Sequence, residues 1–183
     1  MPSRYLIRLA RPADIPAMRA MQERSMRVIG GDFYNSDEIA NFLALCGTMD
    51  DAVVEEGHYF VAEDHRGTIL GSGGWSRSRP HYANSAAGSE AGTAAKPTVR
   101  SVFVDPAATR RGIASAIMSW TERDALEHGV DTLHLTATLS GFALYEAFGY
   151  QTEEATELKF PDQSRFGCVR MRKSLGRPGT RAA

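Results

Sequence analysis

Two arginines and a glycine lie where an apolar segment meets the start of an amphipathic one. This run, Val-Arg-Ser-Val-Phe-Val-Asp-Pro-Ala-Ala-Thr-Arg-Arg-Gly-Ile-Ala, covers residues 99–114. The first amides of a helix lack partners within the helix and carry about half a positive charge, so an anion can bind there. Gly112 would let a phosphate approach the backbone closely, and Arg110 and Arg111 add positive charge. The run predicts a diphosphate site, although a surface turn with two solvated arginines fits the local chemistry equally well.

Other motifs limit the chemistry further. Neither Gly-x-x-x-x-Gly-Lys-Ser/Thr nor Gly-x-Gly-x-x-Gly occurs, which argues against two common nucleotide-binding loops. The glycine-rich run 71–74 opens no helix and predicts a strand with a bulge or a close backbone contact. Cys46 and Cys168 match no metal-ligand spacing, so we expect no metal and two reduced thiols.

Composition limits the class of protein. The 183 residues suit one domain, which we expect at 4–175, followed by a frayed tail at 176–183. Net charge is -1, which gives no reason to expect nucleic acid or an anionic membrane as partner. The apolar stretch near the first residue is too short for a signal peptide, and no run of about 18 apolar residues follows. We therefore expect a cytoplasmic location.

The hydrophobic pattern predicts the elements that position the anion site. Strand-like patterns occupy residues 5–9, 58–62, 68–75, 99–104 and 132–139, with a final antiparallel pair near 157–160 and 168–172. Helical patterns run from the segment 11–16 to about 27, from Ser36 to Gly47, from 112 to 128 and from Phe142 to Phe148. Strands that alternate with helices in this way are typical of an α/β protein.

Several boundaries carry specific signals. Pro16 suits a first helical turn, and Ser36 and Ser140 are expected to cap the helices that follow them. Gly149 is expected to end the last helix. The side chains of the third helix predicted to cover the sheet are Ile113, Ala114, Ile117, Met118, Trp120 and Ala125. Residues 76–97 show no periodicity and predict a functional or disordered loop.

Two segments, in this order, resemble the GNAT acyltransferase superfamily. Residues 102–106 followed by 109–114 resemble its cofactor-binding motif, whose core is Arg/Gln-x-x-Gly-x-Gly/Ala, with Thr109 at the Arg/Gln position. About thirty residues later, 140–150 resembles the second hallmark, a helix with Leu-Tyr-Glu that ends in Gly-Phe or Gly-Tyr. The pattern of the other elements extends the likeness over roughly residues 4–175.

The resemblance implies a GNAT-like three-layer α/β fold, with a mixed, mostly antiparallel central sheet flanked by helices. It implies acetyl-CoA, or another acyl-CoA, as donor. Backbone amides of residues 110–114 would hold the pyrophosphate, and main-chain groups of Val102 and Val104 would pair with the pantetheine arm. The cofactor-binding residues implied are Val102, Phe103, Val104, Arg110, Arg111, Gly112, Ile113, Ala114 and Ser115.

Tyr145 is the residue to which the resemblance assigns chemistry. The corresponding tyrosine of the family lies near the coenzyme A sulfur and can protonate the departing thiolate as a general acid. Ordinary pKa values of about 10 for a phenol and about 8.5 for a thiol make full transfer uphill by about 2 kcal/mol, so hydrogen bonding to the sulfur is an alternative contribution. Without the resemblance, Tyr145 fits a core tyrosine one turn from Phe142 and Phe148.

The group that deprotonates an acceptor amine stays open. Candidates are Asp32, Glu63, His81, Glu90 and His134, each of which also fits a solvated or packed polar residue. We name no base. The acceptor is open as well, because a small amine, an amino acid, an antibiotic and a protein lysine all fit.

The resemblance and the residues together predict N-acetyl transfer by direct attack of an amine on acetyl-CoA in a ternary complex. No cysteine is placed to carry an acyl group, which disfavours a ping-pong route. Two alternatives remain: a non-catalytic acyl-CoA sensor, and a nucleotide-binding regulator that uses the same anion site. We expect acetyl-CoA and an unidentified amine as partners, expect neither nucleic acid nor membrane, and leave a homodimer open.

Overall fold

A seven-stranded sheet forms the centre of the protein. The computed structural model describes residues 5–79 and 95–176. The strands are β1 (Tyr5–Leu9), β2 (Tyr59–Asp64), β3 (Ile69–Ser76), β4 (Thr98–Val104), β5 (Thr132–Thr138), β6 (Gln151–Lys159) and β7 (Arg165–Ser174). Their order is β1-β2-β3-β4-β5-β7-β6; β4 and β5 pair in parallel, and the other neighbours pair antiparallel. The predicted mixed, mostly antiparallel sheet is confirmed.

Helices connect these strands. They are α1 (Ile15–Val28), α2 (Ser36–Asn41), α3 (Ala52–Glu55), α4 (Ile113–Glu127) and α5 (Phe142–Ala147), and one π-helical stretch, Phe42–Cys46, continues α2. The short α3 was not predicted. No helix in the described part of the chain has both the length and the hydropathy needed to span a bilayer. Within the predicted loop, residues 80–94 lie outside the described residues, as does the predicted tail beyond Gly176.

Alternating residues of β2 define three layers. Tyr59 and Val61 pack in one cluster with Met18 and Met21 of α1. The intervening residues, Phe60 and Ala62, pack in another cluster with Ile113 and Ile117 of α4. Because successive side chains of a strand point to opposite faces, α1 and α4 cover opposite faces of the sheet.

Two predicted helix caps are wrong. The Asn35 side chain, rather than that of Ser36, accepts hydrogen bonds from the amides of Asp37 (3.0 Å) and Glu38 (2.9 Å) at the start of α2. Both residue types favour this position, and the extended backbone of Asn35 decides between them. Before α5, Ser140 pairs its hydroxyl with Thr138 at 3.0 Å and caps nothing.

Trp120 lies at the edge of the face of α4 that covers the sheet: its ring centroid is 5.8 Å from that of Phe60 on β2, but the side chain is not buried as predicted. It is 37% exposed, and the Arg123 guanidinium lies 4.2 Å from its ring centroid. The aliphatic residues predicted for that face, Ile113, Ile117, Met118 and Ala125, are buried. The apolar arc is therefore narrower than the sequence pattern suggests.

The glycines of β3 let α4 lie close to the sheet. A Cβ on Gly71 would lie 2.7 Å from Cγ2 of Ile113, and one on Gly73 would lie 2.8 Å from Cγ2 of Ile117. Gly74 meets the neighbouring strand instead, where a Cβ would lie 2.2 Å from the carbonyl oxygen of His58. The prediction of close backbone contact is confirmed.

A bulge interrupts β4. Gly74 pairs with Arg100 and Ser72 pairs with Phe103, so two residues of β4 oppose one of β3. Within the bulge, Ser101 has a positive φ of 47°. Beyond the pair Thr98–His134, β4 and β5 share no further register partners, so the two strands diverge.

Candidate active site

A cavity of about 360 Å³ opens where β4 and β5 diverge. Residues 99–104 of β4 line it on one side, and Leu135, Thr136 and Thr138 of β5 line it on the other. Parts of α1, of the segment 42–50, of the turn before α4 and of α5 complete the wall. The volume is typical of small-molecule sites, which range over about 300–1,000 Å³.

The turn between β4 and α4 forms one wall of this cavity. Arg110 and Gly112 both have positive φ, 59° and 75°. Glycine adopts this conformation without strain, whereas for arginine it costs about 1–2 kcal/mol. The first hydrogen bond of α4 runs from the Ala116 amide to the Gly112 carbonyl oxygen, at 2.9 Å. The amides of residues 113–115 therefore donate no hydrogen bond within the helix, and the turn can bind an anion.

The cavity brings together nine of the ten residues singled out from the sequence: Val102, Phe103, Val104, Arg110, Gly112, Ile113, Ala114, Ser115 and Tyr145. The tenth, Arg111, is exposed and does not line it. The Ile113 side chain packs into the core beside β3. Only the backbone of Ile113 is therefore placed to contact a ligand in the cavity.

Tyr145 lines the cavity from α5 and is only 8% exposed. Its ring packs edge-on against Tyr150, with the centroids 5.9 Å apart. On the other side, a Cβ on Gly141 would lie 3.1 Å from Cε2 of Tyr145. The glycine one turn earlier thus makes room for the ring, and the two neighbours together fix its position.

A buried ion pair lines the same cavity. Arg100, on β4, is 3% exposed and pairs with the Asp50 carboxylate. Its other terminal nitrogen lies 3.4 Å from the Ser76 hydroxyl and from the Ser78 carbonyl oxygen. A buried guanidinium needs such partners, because an unpaired charge in the interior is strongly destabilising.

A second, more open depression of about 530 Å³ adjoins the cavity. The residues that line both are Cys46, Gly47, Met49 and Asp50. Arg19 and Asp51 add a partly exposed ion pair to its rim, with 2.6 Å between the charged atoms. Asp50 thus lies where a molecule in the depression would meet a molecule in the cavity.

A family model described as an acetyltransferase (GNAT) domain matches residues 55–152, which is more than half of the chain. The chain belongs to the GNAT acetyltransferases. The matched span contains both motifs and Tyr145, and it also contains the bulge and the diverging strands. The comparison with curated proteins gave no match.

Solved structures share the fold of this GNAT domain. A GCN5-related N-acetyltransferase from Rhodopseudomonas palustris aligns with a TM-score of 0.69 at 17% identity, covering 94% of this chain and 96% of that one. The PaiA N-acetyltransferase of Thermoplasma acidophilum, in complex with coenzyme A, aligns at 0.66 and 13% identity, covering 93% and 98%. The yncA structure of Salmonella typhimurium, with its cofactor acetyl-CoA, aligns at 0.63 and 17% identity, covering 99% of each chain. These similarities confirm the GNAT-like fold.

The three base candidates that lie within the described residues do not line the GNAT cavity. Glu63 pairs with Arg8 at 2.5 Å, Asp32 is exposed, and neither lines the cavity. His134 does not line it either, and burial lowers its pKa from the ordinary value. The other two, His81 and Glu90, lie outside the described residues.

Sequence reasoning missed Asp50 and Arg100. Asp50 lies three positions after a glycine in the short segment Gly-Thr-Met-Asp-Asp, and this segment has the pattern of a solvated loop. Arg100 could have indicated the pair, because it is a charged residue within the apolar run 98–104. If that strand is buried, the guanidinium needs a polar or charged partner.

Both cysteines line the cavity. Neither forms a disulfide, and both are buried. Burial raises the pKa of each thiol to about 12, and the nearby Asp50 carboxylate adds to this effect at Cys46. The thiolate is the nucleophilic form, so at neutral pH neither cysteine is activated for attack.

Proposed function

We propose that this GNAT protein transfers an acetyl group from acetyl-CoA to an amine by direct attack in a ternary complex. The observation that carries the proposal is one cavity in which the anion-binding turn, the diverging strands and Tyr145 meet. We further propose that residues 4–175 act as one domain and that the protein works in the cytoplasm.

The donor fits the residues present. The amides of residues 110–114 and the Arg110 side chain would hold the pyrophosphate, with the Ser115 hydroxyl at the start of α4. The main chain of Val102 and Val104 lies along the opening between the strands, where an extended arm could pair with it. When bound, acetyl-CoA supplies an activated acyl group at this opening.

Tyr145 is the residue we assign to the leaving group. Transfer forms a C–N bond and breaks the C–S bond, so the departing sulfur needs a proton and the nitrogen must lose one. A fixed phenol beside the opening can hydrogen-bond to the sulfur and donate that proton, after which solvent restores it. Main-chain amides of β4 near the bulge would stabilise the negative charge on the carbonyl oxygen.

Asp50 is the residue we assign to the acceptor side. The attacking nitrogen gains positive charge as the C–N bond forms, and a nearby carboxylate stabilises that charge. Asp50 is 23% exposed, faces both the cavity and the adjoining depression, and is held in place by Arg100. The amine would therefore approach from the depression, opposite the pyrophosphate turn.

The buried thiols support the direct route, because a ping-pong route needs a nucleophile that carries the acyl group. Neither cavity cysteine is activated, since burial raises the pKa of both to about 12. We therefore expect both substrates to be bound before transfer, and initial-rate plots against either substrate to intersect.

Thiol release from acetyl-CoA with a panel of amines tests the proposal. The panel holds simple amines, free amino acids, aminoglycosides and lysine-containing peptides. We expect at least one amine to raise release well above hydrolysis. Binding of acetyl-CoA without release by any amine would instead indicate a non-catalytic sensor. Stabilisation by ATP at least equal to that by acetyl-CoA would indicate a nucleotide-binding regulator.

A further inference from the structure

Three polar side chains meet outside the active-site cavity, where the end of α4 approaches the start of β2. Asp124 lies on the last turn of α4, His128 is the residue that follows this helix, and His58 directly precedes β2. One ligand atom from each lies within 4.8 Å of the other two. None of the three lines the cavity or the adjoining depression.

The separations suit a shared metal ion. Nδ1 of His58 lies 2.8 Å from Oδ2 of Asp124, and Nδ1 of His128 lies 3.6 Å from Oδ1 of the same carboxylate. Tetrahedral zinc, with bonds of about 2.0–2.1 Å, places its ligand atoms about 3.3 Å apart. Nδ1 of His128 also lies 2.8 Å from the Asp124 carbonyl oxygen, and the contact between His58 and Asp124 is a hydrogen bond, so coordination by these atoms would replace two hydrogen bonds.

Neighbouring groups hold the carboxylate and one imidazole in place. The Trp75 indole donates its N–H to Oδ2 of Asp124 at 2.7 Å, and the ring of His58 stacks on Trp75 with the centroids 4.3 Å apart. Groups that orient metal ligands in this way raise metal affinity. His128 is 49% exposed, which leaves a path for an ion to enter.

The donor atoms narrow the class of ion. Mg²⁺ and Ca²⁺ prefer oxygen ligands, whereas this cluster offers two imidazole nitrogens and one carboxylate oxygen. Arg77, which donates to the His128 carbonyl oxygen at 3.0 Å, adds a positive charge that acts equally on every divalent ion. Two imidazoles and one carboxylate favour Zn²⁺, Ni²⁺ or Cu²⁺.

We propose that His58, Asp124 and His128 form a binding site for a divalent transition-metal ion. The ion would join the first residue before β2 to the last turn of α4, on a part of the molecule separate from acetyl transfer. Solvent would complete the coordination. The site is independent of the proposed function, so it stands even if no amine is acetylated.

Calorimetry and fluorescence test the site on the full-length protein with metal salts alone. We expect Zn²⁺ to bind with a stoichiometry of one and to raise the melting temperature by about 5 °C or more at saturation, because it binds only the folded state. Mg²⁺ and Ca²⁺ should do neither. Ni²⁺ or Cu²⁺ should quench Trp75, which is read alone in the variant Trp120→Phe because the chain has two tryptophans.

Single variants decide which residues bind. His128→Ala and His58→Ala should each weaken Zn²⁺ binding at least tenfold and abolish the quenching. His65→Ala, an exposed histidine on the turn between β2 and β3, is the matched control and should change neither. His128 is half-exposed, so its variant should fold; circular dichroism checks this. Zn²⁺ binding that survives both variants, or no binding to the parent protein, overturns the proposal.

Discussion

The phenolic oxygen of Tyr59 donates a 2.6 Å hydrogen bond to the carbonyl oxygen of Ser101, the residue with positive φ in the β4 bulge. The same oxygen accepts a hydrogen bond from the Gln22 side chain of α1, at 3.2 Å. A fully buried tyrosine of β2 thus holds the strained point of the strand that lines the cavity. The shape of the proposed acetyl-CoA site therefore depends on a residue that does not itself line the cavity.

Tyr59→Phe should lower stability by about 1–3 kcal/mol, because a buried carbonyl loses its partner. It should also weaken acetyl-CoA binding several-fold, since the bulge can then relax. Tyr34→Phe is the matched control: its phenol accepts from the Leu139 amide and donates to the Gly167 carbonyl oxygen, both at 2.7 Å, and neither partner belongs to β4. Urea unfolding and calorimetry with acetyl-CoA should show similar stability losses and a binding loss for Tyr59→Phe alone.

Tyr145→Phe should lower kcat about 100-fold and leave the KM for acetyl-CoA nearly unchanged, because general acids contribute to the chemical step. Tyr150→Phe provides the control, since Tyr150 contacts the Tyr145 ring but does not line the cavity. Steady-state thiol release measures both. A kcat for Tyr145→Phe within about threefold of the parent protein would remove the general-acid assignment.

Arg110→Gln should weaken acetyl-CoA binding about tenfold, the loss expected for one charge-assisted contact. Arg111→Gln should weaken it less than about threefold, because Arg111 does not line the cavity. Titration calorimetry at two salt concentrations distinguishes a direct contact with the phosphate from long-range attraction, which salt screens more strongly. If both variants lost the same affinity for acetyl-CoA, Arg110 and Arg111 would act only through their positive charge and not through a contact made by Arg110.

Asp50→Asn should lower kcat/KM for the amine at least about tenfold while the KM for acetyl-CoA stays similar, because the carboxylate faces the acceptor side. Stability should also fall by about 1–3 kcal/mol, since Arg100 loses its charged partner. Assays are run well below the melting temperature of the variant. Asp32→Asn, which removes an exposed carboxylate that lines neither the cavity nor the depression, should affect neither quantity much. A normal kcat/KM in Asp50→Asn would place the acceptor elsewhere.

His134→Gln should leave acetyl transfer within about twofold, because His134 does not line the cavity. It should change the pH dependence of stability. Burial lowers the pKa of His134, so the unfolded chain binds a proton first as pH falls below about 6.5, and stability is lost from there downward. The free energy of unfolding, measured at pH 7.5 and at pH 5, should fall less between these two pH values in His134→Gln than in the parent protein. His65→Gln, exposed on a turn, should behave like the parent protein.

Local sequence was enough to predict most elements and the anion turn. Strand and helix periods lie within a few neighbouring residues, and Gly112 at the start of α4 has the positive φ that the turn requires. The wrong predictions arose where neighbouring residues fit the same local pattern. Asn35 and Ser36 are both good caps, so the sequence could not choose between them, and Trp120 sat at the edge of the apolar arc.

The tertiary structure alone decided which distant residues meet. Asp50 pairs with Arg100 across fifty positions, and His58 meets Asp124 across sixty-six. Such pairs depend on how strands register and how helices pack, and no short spacing encodes them. Local sequence patterns therefore predicted an α/β chain, a turn suited to an anion and a short helix that carries Tyr145. The divergence of β4 from β5 joined these into one cavity, because strands that separate open the interior of a sheet to a ligand.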